Sequence, residues 1–263
     1  MLWIWLVLLG VAVGLIGTVI GAGGGFLLVP ILLLIYPKEQ PEIIACISLA
    51  VVFFNAASGS IAYARMKRID YRGAIIFSLA TMPGAILGAI CTSAIPRRLF
   101  DGMLGGLLLV LAVFLIVRPV ETVAEISGGN GGANGFRRTR RQYVIGVFIS
   151  LGVGFVSSLL GIGGGIIHVP AMVHLLGYPV HVATATSHLT LAAMSLVGTI
   201  VHIVSGTFAA GHRRTICLAI GVLIGAQIGA LLSSRVHGTW IMRGLAIALG
   251  VVAVRVLMQA MGS

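Results

Sequence analysis

The residues in this chain whose type and spacing could do chemistry begin with two runs of glycine. Gly21-Ala22-Gly23-Gly24-Gly25 leads, after four more residues, to Pro30, and Gly161-Ile162-Gly163-Gly164-Gly165 leads in the same way to Pro170. A glycine inside a helix costs about 1 kcal/mol relative to alanine, so three in succession favour unwinding. The residues after each run are again apolar and helical, so each run is expected to bare the N-terminus of a short helix. Such an end presents unpaired N–H groups and a partial positive charge, and glycine lets a ligand touch the backbone because no Cβ intervenes. The chemistry implied is capture of an anion by Gly23, Gly24 and Gly25 and by Gly163, Gly164 and Gly165 in a shared polar chamber. The competing reading is close helix packing, which the repetition at matching places makes less attractive. The pattern is neither a dinucleotide fingerprint, since no βαβ unit surrounds it, nor a Walker loop, since no Lys-Ser/Thr comes after it.

A polar stripe stands on the next long helix of each half. Ser48, Asn55 and Gly59 are spaced by 7 and 4 and share a face, and Ser187, Met194 and Gly198 repeat that spacing. Thr184, Thr186, His188 and Thr190 add hydroxyl and imidazole groups around Ser187. Ser48, Asn55, Ser187, His188 and Thr190 are therefore expected to complete the oxyanion site, with interhelical hydrogen bonding as the plainer alternative. His168 lies on the second short helix and joins the candidate substrate ligands. His188 and His202, 14 residues apart, lie close to one face. Imidazole can switch charge near neutral pH, which is compatible with a coupling proton or ion. His174, His181, His212 and His237 fall nearer span ends.

Other chemistries find little support. The six acidic residues are Glu39, Glu42, Asp70, Asp101, Glu121 and Glu125, and none lies mid-span, which argues against a cation carrier. No paired carboxylates or Cys–His constellation suggests an enzyme, and Ser187 and His188 point about 100° apart on a helix. Cys46, Cys91 and Cys217 sit in apolar runs without CxxC spacing, so neither a metal centre nor a cofactor is expected.

The elements that must position these residues are membrane helices. Hydrophobic residues are 59% of 263, charged residues 9%, and mean hydropathy is +1.13, whereas soluble domains carry about 25% charged residues. Runs near the ~20 residues that a bilayer needs occur at about 2–20, 42–64, 73–95, 99–117, 143–160, 182–205, 215–234 and 238–258. Shorter apolar pieces at 24–36 and 164–177 come after the glycines. The expected fold is an all-α integral membrane protein with about eight transmembrane helices plus two glycine-broken short helices near the midplane. A β-barrel would show alternating polarity instead. The first segment lacks a basic start and runs into a second apolar piece, so it is read as part of the mature protein. Net charge is +11, but the cations sit in short loops as orientation signals do, and nucleic acid is not an expected partner.

The chain is duplicated. The glycine runs match at an offset of 140 (161 minus 21); Ser48, Gly59, Ser60 and Ile61 face Ser187, Gly198, Thr199 and Ile200 at 139; Gly84-Ala85 and Gly88-Ala89 face Gly225-Ala226 and Gly229-Ala230 at 141. The common offset carries the argument. It predicts a first repeat over 1–118, a flexible basic linker over 119–142 and a second repeat over 143–263. If each glycine run interrupts a single crossing, the repeats are parallel and twelve of the 17 Lys and Arg fall on one side, five on the other. If the chain turns back at the glycines, the repeats are inverted and the split is ten or eleven to six. The positive-inside rule weighs towards the first count, although inverted repeats are frequent among secondary transporters. Both counts place the linker in the cytoplasm of a bacterial-type inner membrane.

These residues resemble the sulfite exporter TauE/SafE family. The resemblance covers nearly the whole chain and rests on Gly-x-Gly-Gly-Gly-(x)4-Pro at 21–30 and 161–170, on Thr186-Ser187 leading a polar helix, and on the duplicated apolar halves. It implies a permease, an exporter by the family's name, for a small anion such as sulfite, sulfoacetate or a related sulfonate. The first half departs from the second with Cys46-Ile47-Ser48 in place of Ala185-Thr186-Ser187, and it has no histidine matching His168 or His188. The halves are thus expected to contribute unequally. Alternatives are a permease or channel for another small solute or a metal ion, and a non-transporting membrane partner protein.

Overall fold

The computed structural model describes residues 2–117, 139–233, 235–236 and 238–262. Most of the expected linker, with Glu121 and Glu125, and also His237 lie outside the described residues. Among the described residues there are ten helices and no strand. They are α1 (Leu2–Ile20), α2 (Gly25–Ile35), α3 (Pro41–Arg65), α4 (Tyr71–Thr92) and α5 (Arg97–Val117), then α6 (Arg140–Leu160), α7 (Gly165–His174), α8 (Val180–Val204), α9 (Phe208–Ser233) and α10 (Gly238–Gly262). Local chemistry sets the ends. Pro41 opens α3 at a position where its missing N–H is no loss. The Asp70 side chain caps α4 by accepting from Gly73 N, and Thr139 and Gln142 form a capping box on α6. Seven of the described helices are long and apolar enough to cross a membrane. The eighth expected run is the 25-residue α10. The short apolar helices α2 and α7, of 11 and 10 residues, begin at the glycine runs as expected.

Close contacts at glycines fix the helix directions. A Cβ on Gly59 of α3 would meet His188 of α8, and one on Gly198 of α8 would meet Leu49 of α3. Position rises on one helix as it falls on the other, so α3 and α8 are antiparallel. The same holds for α5 and α10, where Gly105 meets Leu257 and Gly250 meets Ala112. By contrast α1 runs parallel to α9, with Gly10 on Leu218, Gly225 on Leu15 and Gly229 on Thr18. Likewise α4 runs parallel to α6, with Gly84 on Leu151 and Gly88 on Phe155 and Leu159. Equivalent helices of the two halves therefore run in opposite directions, and each half's first helix packs on the other half's fourth.

This overturns the parallel count that the distribution of cations favoured. Helix α3 also runs parallel to α9, from Gly211 on Ile47 to Leu223 O on the Ser58 hydroxyl. With α1 and α3 pointing the same way, α2 must return between them, so the chain doubles back at each glycine run and the repeats are inverted. One face of the bundle carries the 66–70 turn, the 175–179 turn, the end of α5 and the start of α6. It is tied by Tyr178 donating to Asp70 Oδ2 at 2.7 Å and Asp70 N donating to Thr186 Oγ1 at 3.0 Å. The opposite face carries the 36–40, 93–96 and 205–207 turns. There Arg97 donates to the carbonyls of Leu33 and Glu39 at 3.0 and 2.9 Å, and Arg214 to Glu39 Oε1 at 2.8 Å.

The core lies where α3 and α8 cross, and both are buried over most of their middle turns. Large side chains on the outward faces, such as Ile86, Leu87 and Ile90 of α4 and Ile220 and Leu231 of α9, are exposed, as a lipid-facing surface requires.

Candidate functional site

Each glycine run folds as a left-handed loop. Gly21, Gly23 and Gly24 have φ of 84°, 73° and 82°, and Gly161, Gly163 and Gly164 have 68°, 81° and 77°, a region that residues with a Cβ rarely enter. The loops tuck back beneath the helices that precede them: Ala22 N and Gly23 N donate to Gly17 O at 2.8 and 3.1 Å, and Ile162 N donates to Ser157 O at 3.1 Å. The first internal bonds of the short helices run from Leu27 and Leu28 N to Gly24 O, and from Ile167 and His168 N to Gly164 O. The amides of Gly25 and Phe26, and those of Gly165 and Ile166, have no acceptor among the described residues. They are the free N–H groups of two helix starts.

The two loops meet. A Cβ on Gly25 would stand 2.6 Å from Ile162 O, and one on Gly165 2.5 Å from Gly21 O. Positions Gly23 and Gly163 both rest on Val52, and Gly23 also on Leu191. Val52 and Leu191 are each the twelfth residue of a 25-residue helix, so the crossing lies at mid-height of the bundle. All ten loop residues are buried. Of the cavities described, an apolar groove of about 330 Å³ opens between α3, α4 and α8, lined by Phe53, Ile75 and Leu196. A polar one of about 400 Å³ opens at the opposite face, lined by Lys38, Glu39, Glu42 and Arg97. Neither is lined by a loop glycine. The loops are thus buried against each other, apart from these two cavities.

The helices α3 and α8 bring their polar stripes to the loops. Gly161 packs on Ala45 and Gly21 on Thr184. Ser48, between Ala45 and Val52, and Ser187, between Thr184 and Leu191, share those faces by helical spacing. The hydroxyls of Ser48, Ser187, Thr184, Ser157 and Ser158 are buried without a hydrogen-bond partner among the described residues. An unpartnered buried hydroxyl costs roughly 1–3 kcal/mol. Thr190, by contrast, spends its hydroxyl on Thr186 O at 3.3 Å.

Asn55 and His188 are joined through Thr18 of α1. Thr18 donates to Asn55 Oδ1 at 3.2 Å, and His188 Nε2 lies 3.4 Å from Thr18 Oγ1. Tyr63 stacks edge-on to His188 at 5.4 Å and donates to Thr18 O at 2.7 Å. These contacts leave Asn55 Nδ2, a donor, without a partner among the described residues. His168 stands apart from this chain: its Nε2 is 3.0 Å from Ser150 Oγ of α6, and its ring packs edge-on against Phe77.

Inversion exposes an asymmetry. His188 seats on Gly59 beside Thr18, and at the related place Leu49 seats on Gly198 beside Ser158. Asn55 is matched by Met194. The imidazole and amide on one side of the crossing are thus replaced by leucine and methionine on the other, where the Ser157 and Ser158 hydroxyls remain. Thr18, Tyr63 and Ser158 were not legible as site residues. Thr18 and Ser158 share the offset of 140 (158 minus 18), a signal that could have found them.

The ten described helices, seven of them long and apolar enough to cross a membrane, arranged as inverted repeats around broken short helices, define an integral membrane protein of the transporter type. The chain belongs to the sulfite exporter TauE/SafE family, whose sequence model matches residues 6–256. It is similar to the probable membrane transporter protein YunE of Bacillus subtilis (strain 168), 29% identical over 254 residues that cover 90% of each chain. It is also similar to a probable membrane transporter protein of Methanocaldococcus jannaschii, 26% identical over 271 residues, covering 96% of this chain and 94% of that one. Another from Xylella fastidiosa (strain Temecula1) is 28% identical over 237 residues, covering 88% and 84%. No solved structure matches. The protein is a multi-pass membrane transporter.

Proposed function

We propose that this transporter exports a small oxyanion, sulfite or an organosulfonate, which binds where the two glycine loops cross. The observation that carries the reading is the chemistry of the unpartnered groups there. The free amides of Gly25, Phe26, Gly165 and Ile166, the hydroxyls of Ser48, Ser187 and Thr184, and Asn55 Nδ2 are all donors. No described carboxylate lies among them. Donors at two helix N-termini suit a compact anion. With the loops buried against each other, the structure corresponds on this reading to an occluded state, and export requires the bundle to open to one face and then the other. The reading places the 1–118 and 143–263 repeats around one shared site, with the 119–142 linker in the cytoplasm. The positive-inside rule supports that orientation: Arg65, Lys67, Arg68, Arg72, Arg140 and Arg141 sit on the face where the linker's ends emerge.

Counterflow in proteoliposomes across labelled sulfite, sulfoacetate, isethionate, carboxylates and divalent cations tests it. Sulfite or a sulfonate should exchange and the cations should not; exchange of a cation alone would refute the reading. Ser48→Ala and Ser187→Ala should slow that exchange about tenfold or more without lowering Tm, because removing an unpartnered hydroxyl relieves a cost instead of breaking a bond. Unchanged exchange in both would remove these hydroxyls from the site.

A further inference from the structure

We propose that Glu42 and His202 form a proton-binding site that latches the mouth on the opposite face, the one carrying the 36–40 and 205–207 turns. Glu42 is in the first turn of α3 and His202 in the last turn of α8, so the pair joins one inverted half to the other. The carboxylate stands at a helix N-terminus and the imidazole at a helix C-terminus, the ends that favour an anion and a cation respectively. His202 Nδ1 is 3.8 Å from Glu42 Oε1, which also accepts the Thr207 hydroxyl at 2.6 Å. The His202 side chain is 1% exposed and that of Glu42 19%. The carboxylate thus touches solution while the ring it serves is buried. His202 Nε2 has no partner among the described residues.

These positions make the site a proton acceptor with a mechanical consequence. While the imidazole is neutral, Glu42 is held at the end of α8 by the Thr207 hydroxyl and not by His202. Binding one proton from the mouth turns the contact into an ion pair that ties α3 to α8, and the net charge of the pair rises from −1 to zero. Releasing that proton to solution removes the ion pair and leaves the Thr207 hydroxyl on Glu42 as the weaker tie between the two helix ends.

The charges around the pair leave it this role. Glu39, on the turn before α3, is taken by Arg214 of α9 at 2.8 Å, and Arg214 lies 4.0 Å over the Tyr36 ring. Arg97 of α5 is taken by Asp101 at 3.1 Å and by the carbonyls of Leu33, Pro37 and Glu39. Lys38 lines the adjoining cavity. His212 and Arg213 of α9 are exposed. Cys46, one turn beyond Glu42 on α3, is buried. The other mouth is tied instead by the Tyr178 hydroxyl on Asp70.

The site concerns gating of the transporter and rests on the occluded-state reading above, so its test has one arm free of substrate. In a Cys91→Ala, Cys217→Ala background the one remaining thiol is Cys46, just inside the latch. Its alkylation rate by N-ethylmaleimide is measured across pH in purified protein with native His202 and with His202→Gln. The ratio of the two rates cancels the ionisation of the thiol itself. With native His202 protection should be lost as pH rises through the range in which the imidazole gives up its proton, moving the ratio by about tenfold. Glu42→Gln should flatten the profile as His202→Gln does, and Thr207→Val, which keeps both titrating groups, should not. A ratio that stays constant with pH overturns the latch, even if His202→Gln labels faster throughout, because a merely structural contact behaves that way. The second arm is uptake of isethionate, whose charge does not vary with pH, into proteoliposomes. A flat labelling ratio with intact isethionate flux rejects the proton site and leaves the anion reading standing. A pH-dependent ratio with no flux of any sulfonate or sulfite rejects the anion reading and leaves the latch.

Discussion

At the scale of residues, the loop glycines meet two separate demands. The positive φ of Gly24 and Gly164 excludes most side chains whatever the space. Gly25 and Gly165 have ordinary φ, and what excludes a side chain there is the opposing loop, with Ile162 O and Gly21 O 2.6 and 2.5 Å from where the Cβ would be. Close packing and anion capture looked like rival explanations of these glycines in the sequence. The crossing makes both compatible at the same residues, since the loops can approach only because they are bare. Gly25→Ala should therefore act as overpacking of a buried contact, costing about 1–3 kcal/mol and lowering Tm by several degrees in a thermal unfolding scan. A variant as stable as the native chain would show that the loops are not in contact.

At the scale of elements, α3 and α8 carry the candidate site, and their difference carries its polarity. His188 and Leu49 occupy related seats on Gly59 and Gly198. The Leu49 seat demonstrates that leucine fits against such a glycine. His188→Leu should accordingly fold and insert normally while breaking the link from His188 through Thr18 to Asn55, and labelled sulfonate counterflow should fall about tenfold, the scale of one lost hydrogen bond to a charged ligand. Full activity would mean that this chain of contacts only packs the bundle. The elements were largely legible beforehand. The apolar runs marked the spans to within a few residues, except that α9 starts seven residues before its run, at Phe208, and the glycine runs marked the starts of α2 and α7. Thr18 and Tyr63 were not legible, because they come from α1 and from the far end of α3, and only the packing of α1 on the other half brings them to His188.

At the scale of the whole molecule, the direction of the repeats escaped the sequence. Counting cations in loops favoured parallel halves, since the rule weighs charges and cannot sense that α2 and α7 turn back at mid-height. The antiparallel register of α3 on α8 decides the matter, because it is set by side chains meeting at Gly59 and Gly198. The two topologies differ at the 205–207 turn. With native cysteines replaced, Lys67→Cys and Gly206→Cys in oriented vesicles should be labelled by an impermeant maleimide from opposite sides. Labelling from the same side would restore the parallel arrangement and break the account of a site shared by inverted halves.

That shared site is the central claim, and a heavy-atom analogue of its ligand tests it most directly. Selenite is a close stand-in for sulfite, and its selenium can be located by anomalous diffraction from crystals grown with it. The account predicts a selenium peak at the loop crossing, within hydrogen-bonding reach of the free amides of Gly25 and Phe26 or of Gly165 and Ile166. A protein that exchanges selenite in vesicles but shows its peak elsewhere in the bundle, with the crossing still closed, would contradict it.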